Sequence, residues 1–403
     1  MCFDIHEVRG QFPALETTVH GRPLVYLDNA ATAQVPKVVL DKIYDCESRR
    51  GNVHRGIHSL GKDSSEVYEN ARQEVARFIG ATPEQIVFTS GTTDGINRVS
   101  KAAGECIGEK DAVLVSLMEH HSNFVPWQQL CLKTGAEFKI VPLTPNGEFD
   151  ICKFSKMLDK KVKIVAITHC SNVLGTVNNV EKICSIAHEN GAKVMVDAAQ
   201  SICHRRIDVQ KIDCDWLVFS GHKLGGPFGI GVLYSKEPLP PVVFGGGMVQ
   251  NVFSNKTEFE SWPLGGEAGT APISGAAGLA AAIQFRNGLP KGWQEHESML
   301  LSLAEKLLDD LPYVNILGKP ELREGCLSFT IDTVHPFDVA VLADQIGIAL
   351  RSGTQCAQPL LRSLNIDYVL RISPAFYNTE EEILQFAKAI ENIVSVLKRE
   401  NMC

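Results

Sequence analysis

Lys223 and Asp197 are the first residues whose chemistry stands out, because each follows an apolar run that predicts a buried strand. Lys223 lies in the turn SGHKLGG after WLVFS, and Asp197 closes the run KVMVD. A lysine that forms a Schiff base and an acid that keeps a pyridine nitrogen protonated are the pair that binds pyridoxal phosphate. Each residue taken alone has another interpretation: Lys223 is also consistent with a solvent-exposed loop lysine, and Asp197 is also consistent with a turn or helix-cap aspartate. The pair therefore carries more weight than either residue alone.

A phosphate-binding turn is the third requirement of such a cofactor, and TSGTTDGIN (89–97) supplies one. The segment predicts a strand, a turn of small residues and a helix start. Backbone N–H groups and the hydroxyls of Thr92 and Thr93 would be free there to bind an anion. A plain helix N-cap explains the same residues and stays open as an alternative. Ser220 and His222 are placed to reach the same phosphate from the opposite loop.

Histidine, cysteine and arginine side chains are candidates for the chemistry on a substrate. MEHHSN places His120 after another strand, where an imidazole can stack on the cofactor ring, although a lone histidine is more often structural. Cys356 lies in the loop LRSGTQCAQP rather than in an amphipathic stripe, so it is predicted to be exposed and reactive. The planar guanidinium of Arg371 can bind a carboxylate through two parallel hydrogen bonds. A surface salt bridge is the alternative role of this residue.

Seven short β-branched runs position these residues, and each is predicted to be a strand buried on both faces. They lie at 86–89, 112–116, 138–143, 162–168, 193–197, 216–220 and 230–234. Amphipathic helices fit between several of them, one at about 180–190 with a stop at Gly191. This alternation predicts a doubly wound, mostly parallel α/β sheet whose ligand crevice lies beyond the carboxyl ends of the strands.

The pattern of elements changes toward the end of the chain. We expect a strand at 326–332, a helix at 336–345, a strand over IALRS and a last helix. That last helix opens with Thr379 and Glu382 at the spacing of a capping box. These elements predict a second, smaller α+β unit.

We therefore divide the chain into two domains. The large cofactor-binding α/β domain is expected at residues 21–286, and the small α+β domain combines residues 1–20 with 287–403 and carries the Cys356 loop. Within the large domain, the Gly-rich segment 245–270 is predicted to be a long irregular loop.

The composition excludes several classes of protein. With 39 Lys+Arg against 47 Asp+Glu, the net charge of −8 lacks the basic surplus that nucleic-acid binding requires. No apolar run approaches the ~20 residues that cross a bilayer, so we expect no membrane contact. The 12 cysteines never form CxxC, and HRGIH lacks the glutamate of HExxH, so we predict no metal site. Most of the cysteines are expected to be reduced and buried, in a cytoplasmic protein.

These motifs together resemble those of the SufS-type cysteine desulfurases, which are the group II NifS-like enzymes and are closely related to selenocysteine lyases. The likeness runs over nearly the whole chain, through YLDNAATAQVP, NVHRGIHSL, MEHHSNFVPW, ITHCSNVLGT, VFSGHKLGGPFGIG, EAGTAP, RSGTQCAQP and RISPAFYNTEEE. The resemblance implies a fold-type I, aspartate-aminotransferase-like enzyme that depends on pyridoxal phosphate and works as a homodimer. It further implies that L-cysteine is converted to L-alanine, with L-selenocysteine as a second candidate substrate. The sulfur would pass through a persulfide to a SufE-like or SufU-like acceptor protein, for iron–sulfur cluster assembly or other sulfur delivery.

The resemblance also implies roles for individual residues. The catalytic residues would be Lys223, Cys356 and His120. The cofactor contacts would be Thr92, Thr93, His120, Asp197, Gln200, Ser220, His222, Lys223 and Thr270, the last given to the neighbouring subunit. The substrate contacts would be Asn172, Arg371, His54 and Arg351. Gln355, directly before Cys356, departs from the histidine of several relatives, so local activation of the thiol is expected to differ.

Two other functions stay open on the sequence. Another fold-type I activity, such as kynurenine cleavage or transamination of a small amino acid, would keep Lys223 and Asp197 but make no use of Cys356. A non-catalytic sulfur carrier would need no cofactor at all. The complete lysine, acid and phosphate set disfavours this carrier, because an inactive protein has no use for a matched cofactor site.

Overall fold

The computed structural model describes residues 3–54 and 56–400 of the chain. Within these ranges the helices are α1 (Ile5–Arg9), α2 (Lys37–Ser48), α3 (Ser59–Ile79), α4 (Thr92–Gly104), α5 (His121–Thr134), α6 (Ile151–Met157), α7 (Val180–Glu189), α8 (Val209–Ile212), α9 (Ile273–Asn287), α10 (Trp293–Asp309), α11 (Pro336–Gln345), α12 (Gln358–Ser363) and α13 (Glu380–Glu400). The strands are β1 (Thr18–Val19), β2 (Arg22–Pro23), β3 (Val25–Tyr26), β4 (Ile86–Thr89), β5 (Ala112–Ser116), β6 (Glu137–Val141), β7 (Val162–Thr168), β8 (Lys193–Asp197), β9 (Trp216–Ser220), β10 (Gly231–Ser235), β11 (Val249–Val252), β12 (Thr257–Phe259), β13 (Val314–Ile316), β14 (Leu327–Ile331), β15 (Ile348–Ala349), β16 (Arg351–Gly353) and β17 (Val369–Ile372).

A seven-stranded sheet forms the centre of the molecule, in the order β4-β10-β9-β8-β7-β5-β6. β10 runs antiparallel to β4 and to β9, and the other pairings are parallel. All seven predicted strands belong to this sheet, so the mostly parallel α/β sheet is confirmed. Because the parallel strands point the same way, β7, β8 and β9 end side by side and deliver their last residues to one edge.

The burial of the central strands follows the prediction except in β6. Every residue of β4, β5, β9 and β10 is buried, as expected for strands covered on both faces. β6 is different, since only Val141 of its five residues is buried. The prediction of burial on both faces is therefore wrong for β6, although β4, the strand at the other end of the sheet, is fully buried.

The predicted helix at 180–190 is confirmed as α7, and its ends have clear local causes. The side chain of Asn179 caps the start by accepting a hydrogen bond from the Lys182 N–H at 3.0 Å. Gly191 follows the end with φ of +80°, a conformation that favours glycine. The buried residues Val180, Ile183, Cys184 and Ala187 form one apolar stripe that packs into the core.

A second sheet lies in the C-terminal part of the chain, with antiparallel strands in the order β13-β14-β17-β16. The predicted strand at 326–332 and helix at 336–345 are confirmed as β14 and α11. The capping box of α13 is also confirmed, because the Thr379 N–H donates to Glu382 Oε2 at 3.0 Å and the Glu382 N–H donates to Thr379 Oγ1 at 3.3 Å. These elements share a hydrophobic core that also takes in Val25 and Leu27. The division at residues 20 and 286 stays a prediction.

The segment 245–270 is more regular than predicted. It contains the antiparallel pair β11 and β12 and a 3-10 turn at Leu264–Gly266. The residues of both strands are exposed or only partly buried, so the sequence has no alternation of apolar and polar residues there. The expectation of an irregular loop was wrong. β11 and β12 form hydrogen bonds with each other but do not pack against a hydrophobic core, so their sequences lack the apolar pattern that predicts a strand.

The described parts of the chain contain no helix with the length and apolar character of a membrane span.

Gly231, the first residue of β10, leaves no room for a side chain. A Cβ at this position would lie 2.5 Å from Gly91 Cα and 2.8 Å from the Phe219 carbonyl oxygen. We expect Gly231→Ala to lower the free energy of unfolding by about 1–3 kcal/mol, because backbone atoms on both sides must shift. Urea denaturation measures the effect. Gly108→Ala is the control, since a Cβ at that glycine would meet nothing within 4 Å, and an equal loss in both variants would contradict the explanation.

Candidate functional site

A cavity of about 480 Å³ opens at the carboxyl edge of the central sheet. Thr168, Asp197 and Ser220, the last residues of β7, β8 and β9, all line it. The structure brings twelve of the predicted site residues to this cavity: Thr92, Thr93, His120, Asn172, Asp197, Gln200, Ser220, His222, Lys223, Arg351, Cys356 and Arg371. The crevice predicted from strand direction is therefore where these side chains meet.

Lys223 and Asp197 are charged groups brought into the cavity from neighbouring strands. Lys223 lies on a 3-10 turn at Gly221–Leu224 that directly follows β9. Burial lowers its pKa, while the nearby Asp197 charge opposes that shift. Asp197 is 3% exposed and accepts a hydrogen bond from the Ala199 N–H at 2.9 Å. A lowered lysine pKa enlarges the fraction of neutral amine, which is the nucleophilic and basic form.

The first turn of α4 forms the end of the cavity that fits an anion. Its N-cap is Gly91, which has no side chain to cap the helix. Ser220 Oγ accepts a hydrogen bond from the Thr92 N–H at 2.9 Å and lies 2.8 Å from Thr92 Oγ1. Thr93 Oγ1 lies 2.6 Å from Ser122 Oγ, a cavity residue that the sequence-based prediction missed. The signal for Ser122 was its place two residues after His120.

The two cavity histidines are held neutral. Ser122 N–H donates to His120 Nδ1 at 3.1 Å, so the proton of the neutral ring lies on Nε2. Burial, with the Lys223 charge as a smaller cause, lowers the pKa of His120 to about 3. The same two causes lower the pKa of His222 to about 4. The His222 ring stacks on Phe228 at 5.4 Å between ring centroids. Neutral imidazoles can stack on an electron-poor ring and can accept or donate a hydrogen bond.

Arg371 and Asn172 connect the floor of the cavity to the loop that carries Cys356. Arg371 Nη1 donates to the Asn172 carbonyl at 2.9 Å, and Asn172 Nδ2 donates to the Gln355 carbonyl at 2.7 Å. Arg371 is 3% exposed, and its Nε is buried with no hydrogen-bond partner in the described residues. A buried guanidinium with spare donors can form hydrogen bonds to a carboxylate.

The Cys356 loop presents a thiol at the mouth of the cavity. Cys356 is exposed, as predicted, whereas six of the ten described cysteines are buried. Gln355 and Cys356 both have positive φ, at 51° and 53°, which is uncommon for two consecutive residues other than glycine. The His121 N–H donates to the Cys356 carbonyl at 2.8 Å and so helps to hold this backbone. Cys2 and Cys403 lie outside the described residues.

His54 and Thr270 do not reach this cavity within one chain. They line a separate cleft of about 270 Å³, together with Glu267 and Gly269. His54 lies instead beside Glu69, with Nε2 to Oε1 at 3.6 Å. Within one chain the segment before α3 holds His54 on this other surface, so its place at a Lys223 cavity stays a prediction.

The donors of the cavity fit pyridoxal phosphate. Its volume lies within the ~300–1,000 Å³ that small-molecule sites usually have. His222 Nδ1 is buried and has no hydrogen-bond partner in the described residues, and His222 lines the same cavity as the first residues of α4. An amine and a buried carboxylate complete the set that the ring requires.

The comparisons with known proteins agree with this geometry. Residues 25–386 match the family model described as aminotransferase class-V. A probable cysteine desulfurase of Halalkalibacterium halodurans is 45% identical over 96% of this chain and 97% of its own length. A cysteine desulfurase of Shigella sonnei is 42% identical over 98% of this chain and its whole length.

Solved structures show the same relationship. The crystal structure of an Escherichia coli cysteine desulfurase, in its S-sulfonic acid form, superimposes with a TM-score of 0.90 at 35% identity and covers 98% of this chain and 100% of its own. The apo cysteine desulfurase of Thermococcus onnurineus gives a TM-score of 0.92 at 36% identity, over 98% of this chain and 99% of its own. The chain belongs to the class-V aminotransferases and, within them, to the cysteine desulfurase family. The expected fold-type I architecture is confirmed.

The lowered pKa of His120 predicts a pH-dependent stability. An unfolded histidine titrates near pH ~6.5, whereas His120 in the folded chain titrates at about 3. Between these values the unfolded chain binds a proton that the folded chain does not, so this contribution to stability falls as the pH drops below 6.5. From pH 7 to pH 5 the wild type should lose about 2 kcal/mol more than His120→Gln.

Urea denaturation of the cofactor-free proteins at the two pH values measures this difference. His20→Gln, at an exposed histidine, controls for the substitution itself. Parallel pH profiles for the wild type and His120→Gln would contradict the assignment of a neutral, buried His120.

Proposed function

We propose that this chain is a cysteine desulfurase that converts L-cysteine to L-alanine and takes up the sulfur as a persulfide on Cys356. One observation carries the proposal: the exposed Cys356 lines the same cavity as Lys223, Asp197 and Arg371. An aminotransferase or a kynureninase needs the lysine and the acid but no thiol at the cavity mouth. A thiol nucleophile facing the substrate site therefore favours sulfur chemistry over these alternatives.

Pyridoxal phosphate, when bound, supplies an electron sink for chemistry at the substrate Cα. Lys223 would hold its aldehyde carbon, Asp197 its ring nitrogen, Gln200 its ring hydroxyl, and His120 its ring face. Its phosphate would be held by Thr92, Thr93, Ser220 and His222. Support comes from the Thr92 N–H and hydroxyl, which converge on Ser220 Oγ at 2.9 and 2.8 Å at the start of α4.

Different residues of the chain bind L-cysteine, remove its Cα proton and accept its sulfur. Arg371, with Asn172 and Arg351 beside it, binds the substrate carboxylate and fixes its orientation. Lys223 removes the proton from Cα, which its lowered pKa favours because the amine is then free to accept it. Cys356 attacks the substrate sulfur: the C–S bond breaks as an S–S bond forms. Overall, one thiol and L-cysteine give one persulfide and L-alanine, so no external oxidant or reductant is needed.

Exposure of Cys356 also supports transfer of the sulfur to a second protein. A SufE-like or SufU-like carrier is the acceptor we propose, for iron–sulfur cluster assembly or other sulfur delivery, in the cytoplasm. L-selenocysteine is a second candidate substrate, since its selenium occupies the place of the sulfur that Cys356 attacks.

Loss of the Cys356 thiol should separate sulfur transfer from cofactor binding. We expect Cys356→Ser to retain the cofactor absorbance but to lose at least ~99% of alanine and persulfide output, because a hydroxyl does not accept sulfur. Mass spectrometry after exposure to L-cysteine should find one added sulfur atom on Cys356 of the wild type. Cys152→Ser, at another exposed cysteine, should behave as wild type. Wild-type output from Cys356→Ser would disprove the proposed function.

We also propose that the enzyme is a homodimer in which the cleft of His54 and Thr270 completes the partner's site. Support comes from the cleft itself, which gathers both predicted site residues that the Lys223 cavity lacks. Phe228, Phe244 and Phe253 are large exposed apolar side chains, at 74%, 66% and 50% exposure. Exposed aromatic groups of this size are typical of protein interfaces.

Complementation between two inactive variants tests the dimer. Lys223→Ala lacks the amine, and Thr270→Asp would place a carboxylate against the phosphate of the partner's cofactor. After mixing under conditions that exchange subunits, half of the dimers are mixed, and one of their two sites is intact. We therefore expect about one quarter of wild-type turnover. Each variant alone should stay below this value, and no recovery on mixing would disprove the shared site.

A further inference from the structure

Asp28 is a charged residue behind the cavity to which neither the sequence motifs nor the proposed chemistry assigns a role. It follows β3 and forms a bridge with Ser373 at the end of β17. Its side chain is only 14% exposed. Asp28 does not line the cavity, whereas both arginines that it contacts, Arg351 and Arg371, do. The carboxylate therefore acts from behind the cavity wall.

The carboxylate of Asp28 accepts hydrogen bonds from both guanidinium groups. Arg351 Nε lies 3.1 Å from Oδ1 and 3.0 Å from Oδ2, and Arg351 Nη2 lies 2.9 Å from Oδ2. Arg371 Nη2 lies 3.1 Å from Oδ1. Hydrogen bonds between two ionised groups at these distances are strong, and the forked contact with Arg351 fixes orientation as well as position.

The sheet register explains why this position requires an anion. Arg351 and Arg371 are directly opposite each other across the antiparallel pair of β16 and β17. Two like charges in such a pair repel each other. Arg371 is also 3% exposed, so its charge is costly to bury without a counter-ion. Asp28 offsets one of the two positive charges and leaves a net charge of one, which matches a single substrate carboxylate.

We propose that Asp28 is a positioning residue for substrate recognition. It holds Arg351 and Arg371 from behind, so that their remaining N–H groups face the cavity and meet the carboxylate of an amino-acid substrate. The Asn172 carbonyl holds Arg371 Nη1 at 2.9 Å, and Asp28 holds Nη2, so the guanidinium plane is fixed at two points. This inference rests on the proposed function, because it takes the substrate to be an α-amino acid.

The test compares a substrate that has a carboxylate with one that lacks it. L-cysteine and L-cysteine methyl ester differ in this group alone, and the ratio of their KM values reports recognition of the carboxylate. We expect Asp28→Asn to raise the KM for L-cysteine about tenfold or more and to lower its preference over the ester by a similar factor. kcat and the cofactor absorbance should change far less. Asp41→Asn, at an exposed carboxylate paired with Lys37, is the matched control.

Asp28→Glu keeps the charge but displaces the carboxylate by one methylene, so we expect an intermediate loss of preference for L-cysteine. Thermal unfolding of each variant shows whether it is folded. A folded Asp28→Asn or Asp28→Glu with the wild-type preference would overturn the inference. Failure of both variants to fold would assign Asp28 to stability and also overturn it. Absence of turnover in the wild type would instead disprove the proposed function, so the two failures are distinguishable.

Discussion

The site depends on one constraint: the Lys223 amine and the Asp197 carboxylate are both removed from water at the carboxyl ends of the central strands. Lys223 and Asp197 arrive from β9 and β8, which are neighbours in the central sheet. Burial lowers the pKa of the lysine and raises the pKa of the aspartate, so each charge is costly without the other or a ligand. The same desolvation keeps His120 and His222 neutral. Burial at the carboxyl ends of the central strands therefore sets the protonation states of the groups that would hold the cofactor.

The groups that can bind anions lie on two different parts of the cavity lining. The start of α4 with its hydroxyl groups lies at one end, and Arg351 and Arg371 lie on the wall formed by β16 and β17. The Cys356 loop joins this wall through Asn172, which contacts both Arg371 and Gln355. Arg371 is thus linked by two hydrogen bonds, through Asn172, to the Gln355 carbonyl next to Cys356. Two consecutive left-handed residues show that this loop is held by its neighbours rather than by its own preference.

Regular structure was predictable where burial is uniform. The seven apolar runs of the central sheet, α7 with its Gly191 stop and the capping box of α13 were all found from the sequence, because their residue patterns follow strand and helix geometry. The exposed pair β11 and β12 was missed, and β6 was found as a strand but wrongly expected to be buried on both faces. Their environments depend on what lies beside them in space, which the order of residues does not contain.

The sequence by itself determined which chemical groups are available: a lysine, an acid, a helix start with hydroxyl side chains and a thiol in a loop, each following a predicted strand or lying in a turn. Only the tertiary structure decided which of these groups share a cavity. It joined twelve predicted residues, placed His54 and Thr270 on another surface, and revealed Asp28 behind the arginines. The reason is that charge pairing across β16 and β17 depends on the sheet register, a property of long-range packing that no local spacing records.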